Sequence, residues 1–134
     1  MIGLDTNVLV RYLAEDDATQ SAAATRLIEQ ELTSAEPGFI SSVVLTELGW
    51  VLKRLYRASE GELLETVADL LDSPQFQLEN RAVVQAAVRR MQALKAKAGW
   101  TDLLIAQIAQ AQGCRHTVSF DKTAVRLAGM QLLV

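Results

Sequence analysis

The sequence predicts an α/β fold in which a central, mostly parallel five-stranded sheet carries helices on both faces, a three-layer α/β/α sandwich. Two observations predict it. Apolar stretches of strand length alternate with longer segments of helical period along the 134 residues. Strands separated by helices need crossover connections, and crossovers run neighbouring strands parallel. No internal repeat, low-complexity tract or long Gly/Ser/Pro linker divides the chain, so residues 1–134 are expected to form one domain.

The first strand is expected over residues 1–5 and leads into a helix with Val8, Leu9, Tyr12 and Leu13 on its apolar face. A second helix, from Ala18 to Leu32, puts Ala24, Leu27, Ile28 and Leu32 on one face. Pro37-Gly38 breaks the chain before a short strand, Phe39-Ile40-Ser41. A helix from Val43 to Arg57 follows, then one from Ser59 to Leu71 that opens with a capping box, Ser59 with Glu62. Ser73-Pro74 ends that helix, and Phe76-Gln77-Leu78 reads as the third strand. Asn80 is placed to cap the helix bearing Val83, Val84, Ala87, Val88, Met91 and Leu94. Gly99 interrupts before a helix from Thr101 to Gln112, which Gly113 stops. A fourth strand ends at Phe120, a short helix spans Lys122 to Leu127, and Gln131-Leu132-Leu133-Val134 is the last strand.

Composition narrows the function. Half the residues are hydrophobic and 22% are charged, the balance of a compact rather than a disordered chain. No apolar run approaches the roughly 20 residues of a membrane span. No basic segment precedes an apolar core at the N-terminus, so no secretory signal is expected and the expected location is cytoplasmic. Net charge is −3, from 13 basic and 16 acidic side chains, which argues against nucleic-acid binding by the whole surface. A local basic patch, or a nuclease whose metal ions face phosphate, remains compatible. Cys114 is the only cysteine, which excludes an internal disulfide and a multi-cysteine metal site; it reads as a small buried residue at a helix-to-strand junction. His116, the only histidine, falls in a strand, so no zinc site is expected.

Four carboxylates stand out: Asp5, Glu47, Asp102 and Asp121. In parallel sheets ligands sit beyond the carboxyl ends of the strands, and Asp5 and Asp121 fall at such ends. Each of these two, and Asp102 in the first turn of its helix, has an alternative use as a helix cap or a partner of the helix dipole. Glu47 differs. Its neighbours at helical spacing are Val43, Val44, Trp50 and Val51, and no Lys or Arg lies within four positions. Buried there and unpaired it would cost several kcal/mol, unless the helix turns it to solvent. Gathered together, the four would repel one another, and a hard divalent cation such as magnesium or manganese is the usual remedy.

With those residues in view, the chain resembles the PIN-domain family, and within it the VapC-like toxin ribonucleases. Ile2-Gly3-Leu4-Asp5-Thr6-Asn7 resembles the family's opening strand and turn. The stretch from Ile40 to Leu48 is similar to the second motif, with Glu47 as its acid. Thr101-Asp102-Leu103-Leu104-Ile105-Ala106 resembles the third motif and Thr117-Val118-Ser119-Phe120-Asp121 the fourth. The resemblance implies a three-layer sandwich and magnesium- or manganese-dependent cleavage of RNA. It implies that Asp5, Glu47, Asp102 and Asp121 hold metal, with Asn7 and Ser119 as supporting polar groups. It also implies a small antitoxin partner and a homodimer. Some members carry a further acid just before the third-motif Asp; this chain has Gly99, Trp100 and Thr101 there.

Phosphates approaching an acidic site need cations, and Arg11 and Lys122 are the candidates nearest the motifs. Trp50, at helical spacing, is expected in the core rather than against a base. Two rivals remain open. A phosphatase of the haloacid-dehalogenase type also begins with a strand and an Asp, but wants a second acid where this chain has Asn7. A non-catalytic, receiver-like interaction module gives the Glu47 helix no role.

Overall fold

Strands are short and all pair in parallel. In the computed structural model, which describes residues 1–134, β1 (Ile2–Gly3) lies beside β2 (Gly38–Ile40) and β2 beside β3 (Phe76–Leu78). Ile2 is in register with Gly38, and Gly38 with Phe76. A separate pair is formed by β4 (Val118–Ser119) and β5 (Gln131–Leu132). The α/β class and the parallel pairing are as expected. The single five-stranded sheet is not, because the strands divide into a sheet of three and a sheet of two.

The division follows from how little β1 and β4 can offer. Ile2 and Leu4 donate to the carbonyls of Pro37 and Phe39, on the β2 side alone. Thr117 and Ser119 accept from Gln131 and Leu133, on the β5 side alone. Two-residue strands present few groups per edge, and Ile2 and Val118 are each about half exposed, so little side-chain packing draws the two edges together. Where β1 and β2 do pack, the approach is close. A Cβ on Gly38 would stand 2.7 Å from Leu4 Cδ1 and 2.8 Å from Leu32 Cδ1, so a larger residue there would have to displace both leucine ends.

Helices supply the rest: α1 (Thr6–Ala14), α2 (Ala18–Arg26), α3 (Ser42–Leu55), α4 (Glu60–Asp72), α5 (Arg81–Ala93), α6 (Trp100–Ala111) and α7 (Lys122–Ala128). The expected single helix from Ala18 to Leu32 finishes in a wider π turn, Leu27–Glu31, where Leu32 N donates to Leu27 O. The α4 capping box forms as read: Ser59 Oγ accepts from Glu62 N and Glu62 Oε1 accepts from Ser59 N, both at 3.0 Å. Asn80 precedes α5 in a left-handed conformation and its side chain caps nothing; its carbonyl receives Val83 N and Val84 N instead. On α1 the buried stripe is Thr6, Leu9 and Val10, with Leu13 turned outward. Cys114 is exposed in the α6–β4 connection rather than buried.

One core fills the space under these helices. Leu9, Ile40, Leu45, Leu48, Val67, Val84, Met91 and Leu103 have almost no exposed surface. Trp100 lies among them, and its indole Nε1 donates to the Leu45 carbonyl at 3.3 Å, tying α6 to α3. Gly49 on α3 makes that seam possible, since a Cβ there would stand 2.9 Å from Trp100 Cδ1 and 3.1 Å from Leu63 Cδ2. On the far side of α1, Arg11 donates to Asp16 Oδ1 (2.9 Å) and Gln20 Oε1 (2.7 Å), while Tyr56 donates to Asp16 Oδ2 (2.6 Å). The Tyr56 hydroxyl first, and then Arg11, hold the Asp16 carboxyl below its ordinary proton affinity. No helix is long and apolar enough to cross a membrane.

Two predictions follow from this packing. Gly49→Ala should lose about 1–3 kcal/mol in urea unfolding by overpacking the Trp100 seam. Gly61→Ala, whose Cβ would meet only Ser59 Oγ at 3.8 Å, should be neutral or gain roughly 0.5–1 kcal/mol; equal effects of the two would contradict the seam. For Asp16 the folded-state pKa is depressed, so its contribution is present above the unfolded value near 3.9 and is lost as pH falls through the folded value. Urea midpoints of the natural protein and Asp16→Asn should therefore differ at neutral pH and converge in acid. A gap that persists undiminished in acid would contradict the network.

Candidate active site

The backbone sets out the acids from two directions. Asp5 follows β1 directly, in extended conformation ahead of α1, and is exposed. Its carboxylate caps no α1 N–H, so the capping alternative does not account for it. Asp121 follows β4 and does cap: its Oδ1 accepts from Thr123 N at 2.8 Å and Ala124 N at 3.3 Å. Ser119 Oγ accepts from Asp121 N at 3.0 Å, which fixes the backbone of that turn. Only the other carboxylate oxygen, Oδ2, is left without a hydrogen bond.

Asp102 sits in the first turn of α6 and is half-buried. Burial raises its proton affinity most, the negative charge of Asp121 raises it further, Lys53 opposes this and Glu60 adds to it. Asp102 and Asp121 come from different elements, yet Asp102 lies within reach of the Asp121 charge, and neither is in a salt bridge. Asp102 opens onto a pocket of about 350 Å³ walled by Trp50, Lys53, Arg54, Gly99, Trp100 and Thr101. A Cβ on Gly99 would lie 3.7 Å from Asp102 Oδ2, an ordinary contact, which puts Gly99 directly beside the carboxylate.

Glu47 departs from its expected setting. Val43 is 75% exposed and Trp50 is 56% exposed, and Glu47 faces solvent with them while Leu45, Leu48 and Leu52 turn inward. Burial therefore does not compel a cation at Glu47, and Trp50 is a surface residue rather than a core one. Glu47 lines a groove with Ser42, Thr46, Trp50 and Thr101, and the Ser42 hydroxyl is buried there without a hydrogen-bond partner. Trp50 and Thr101 wall both the Glu47 groove and the Asp102 pocket, so the two adjoin.

Whether these residues suit a divalent ion can be judged from the donors. No three acidic, histidine or cysteine side chains stand close enough together to hold one. In kind the donors fit. Asp5, Glu47, Asp102 and Asp121 offer oxygen only, none is in a salt bridge, and oxygen suits hard cations. Asp5 and Glu47 are exposed and make no side-chain hydrogen bond, so rotamer changes alone are open to them.

The remaining sequence candidates fare unequally. Asn7 is exposed beside Arg11 on the wall of a separate pocket, and Arg11 is engaged by Asp16 and Gln20. Lys122 is exposed and forms no salt bridge. Two further acids went unread. Glu60 Oε2 accepts from Trp100 N at 3.3 Å, supplying the acceptor that Gly99 lacks at the head of α6, while Oε1 pairs with Lys53. Glu79 Oε1 accepts from Ser42 N at 2.8 Å. Glu79 follows the third strand directly, so the carboxyl-end rule that selected Asp5 and Asp121 also selects it. Glu60 had no signal beyond its place in a first helical turn.

Comparison with known proteins adds the family. No curated protein matches the chain. The family model of the PIN domain matches residues 2–130, nearly the whole length. PIN domains are generally metal-dependent nucleases. By that match, this chain belongs to the PIN-domain family.

Proposed function

We propose that this protein is a magnesium- or manganese-dependent endoribonuclease that hydrolyses RNA phosphodiester bonds and serves as the toxin of a toxin–antitoxin pair. One observation supports the reading within the family: half-buried Asp102 lies within reach of the Asp121 charge, and neither carboxylate is in a salt bridge. Such a pair is the anionic setting that a divalent ion relieves.

Asp5, Glu47, Asp102 and Asp121 are the proposed ligands. A bound divalent ion supplies Lewis acidity toward the attacking water and the leaving oxygen. The chain's residues do the rest. Water adds to phosphorus, one P–O ester bond breaks, the proton lost by water is accepted by a carboxylate, and the leaving oxygen takes up a proton and departs as a hydroxyl. Ser119 holds the Asp121 turn, and Lys122, exposed next to Asp121 and free of any salt bridge, is the proposed contact for a substrate phosphate. Asn7 and Arg11 are proposed as supporting and phosphate-facing groups, Arg11 being available only by leaving Asp16. A small antitoxin, a homodimer and a cytoplasmic location are proposed on the resemblance to VapC-like toxins.

Cleavage of structured and single-stranded RNA with manganese, magnesium or chelator tests the assignment, run beside Asp5→Asn and Glu47→Gln. Cleavage should need the metal, and each substitution should lower it by more than the roughly 10–100-fold typical of groups that only support a ligand. Circular dichroism should be unchanged in both. Cleavage indifferent to chelator and to both substitutions would overturn the reading. Expression should arrest growth with Asp5 present and not with Asp5→Asn. Normal growth on expression of an active enzyme would remove the toxin role alone.

A further inference from the structure

Resting on the ribonuclease reading, we propose that Trp50, backed by Arg54, is a stacking platform for one unpaired RNA base beside the acids, and that it makes this chain select single-stranded over duplex RNA. Four observations bear on it. Trp50 is 56% exposed, whereas the other tryptophan, Trp100, is 1% exposed and spends its N–H on Leu45. The Trp50 ring walls both the pocket that holds Asp102 and the groove that holds Glu47. A base lying on it is therefore next to the proposed cutting site. The Arg54 guanidinium stands over the ring, 4.9 Å from its centroid, and has no carboxylate partner. That contact polarises and steadies one face of the indole and brings an uncompensated cation to the backbone of whatever the ring binds.

The occupant is set by charge and shape. A flat, polarisable surface beside an unpaired cation suits an aromatic base whose chain carries phosphates. An apolar peptide would leave Arg54 without a counter-charge. In a duplex the base faces are already stacked and closed to the ring, so a platform of this kind discriminates by strandedness and reads no particular base.

Fluorescence separates the outcomes, because only one of the two tryptophans is accessible. In an Asp5→Asn background, which leaves RNA uncut, a short single-stranded oligoadenylate should quench emission. The same strand annealed to its complement should not. Trp50→Phe should abolish the quench yet retain affinity, since phenylalanine still stacks. Trp50→Ala should weaken binding about 5- to 150-fold, the range one stacked base supplies, and in the Asp5-intact enzyme raise KM far more than it lowers kcat. Unchanged RNA affinity and KM in Trp50→Ala, with cleavage intact, would sink the platform and leave the ribonuclease reading standing. The same holds if duplex binds as tightly as single strand. A change in sedimentation by Trp50→Ala with RNA affinity unchanged would show a protein interface at the ring and overturn the proposal. If the natural protein cuts no RNA at all, the ribonuclease reading fails, while the quench still decides whether Trp50 binds an unpaired strand.

Discussion

The approach of the Asp121 charge to a half-buried Asp102 is the constraint on which the proposed site depends. Asp102 is partly withdrawn from water and lies within reach of the Asp121 charge, and both effects disfavour its ionised form. Lys53 relieves part of this, but its ammonium is already committed to Glu60. The unrelieved remainder is what the proposed divalent ion would offset. Asp5 and Glu47 fit that account differently, as exposed acids whose side chains make no hydrogen bond.

The scaffold serves to hold the first turn of α6 in position. Gly99 offers no side chain to cap that helix, and Glu60 reaches across from α4 to accept Trp100 N instead. The Trp100 ring is sealed into the core, bonded to the Leu45 carbonyl and pressed against Gly49. Three helices therefore converge on the residues flanking Asp102. Asp121 is fixed by a second device, the Ser119 hydroxyl and the α7 cap, which belong to the β4–β5 unit. The two members of the acid pair are thus carried by different elements, Asp102 by the first turn of α6 and Asp121 by the end of β4.

Much of this was legible in the sequence, for identifiable reasons. Alternating strand-length and helical segments give the α/β class, Pro37-Gly38 places the start of β2, and the capping box and Ser73-Pro74 place the two ends of α4. Asp5 and Asp121 were legible because topology puts strand ends at a ligand edge. The exposure of Glu47 was not, because a run such as Val43-Val44 looks the same whether a helix turns it in or out; only packing decides, and here Leu45, Leu48 and Leu52 take the core. The same ambiguity hid Trp50. The break between β1 and β4 was illegible too, since it depends on whether two short edges meet in space. Glu60 and Glu79 act through backbone N–H groups of residues remote in sequence, which no local pattern reveals.

The central claim is that these acids share a divalent ion, and a crystal structure grown with manganese, read by its anomalous signal, tests it most directly. The account predicts a peak about 2.0–2.2 Å from carboxylate oxygens of at least two among Asp5, Glu47, Asp102 and Asp121. Manganese bound elsewhere with none of the four as ligands, or no peak at saturating concentration, would contradict it.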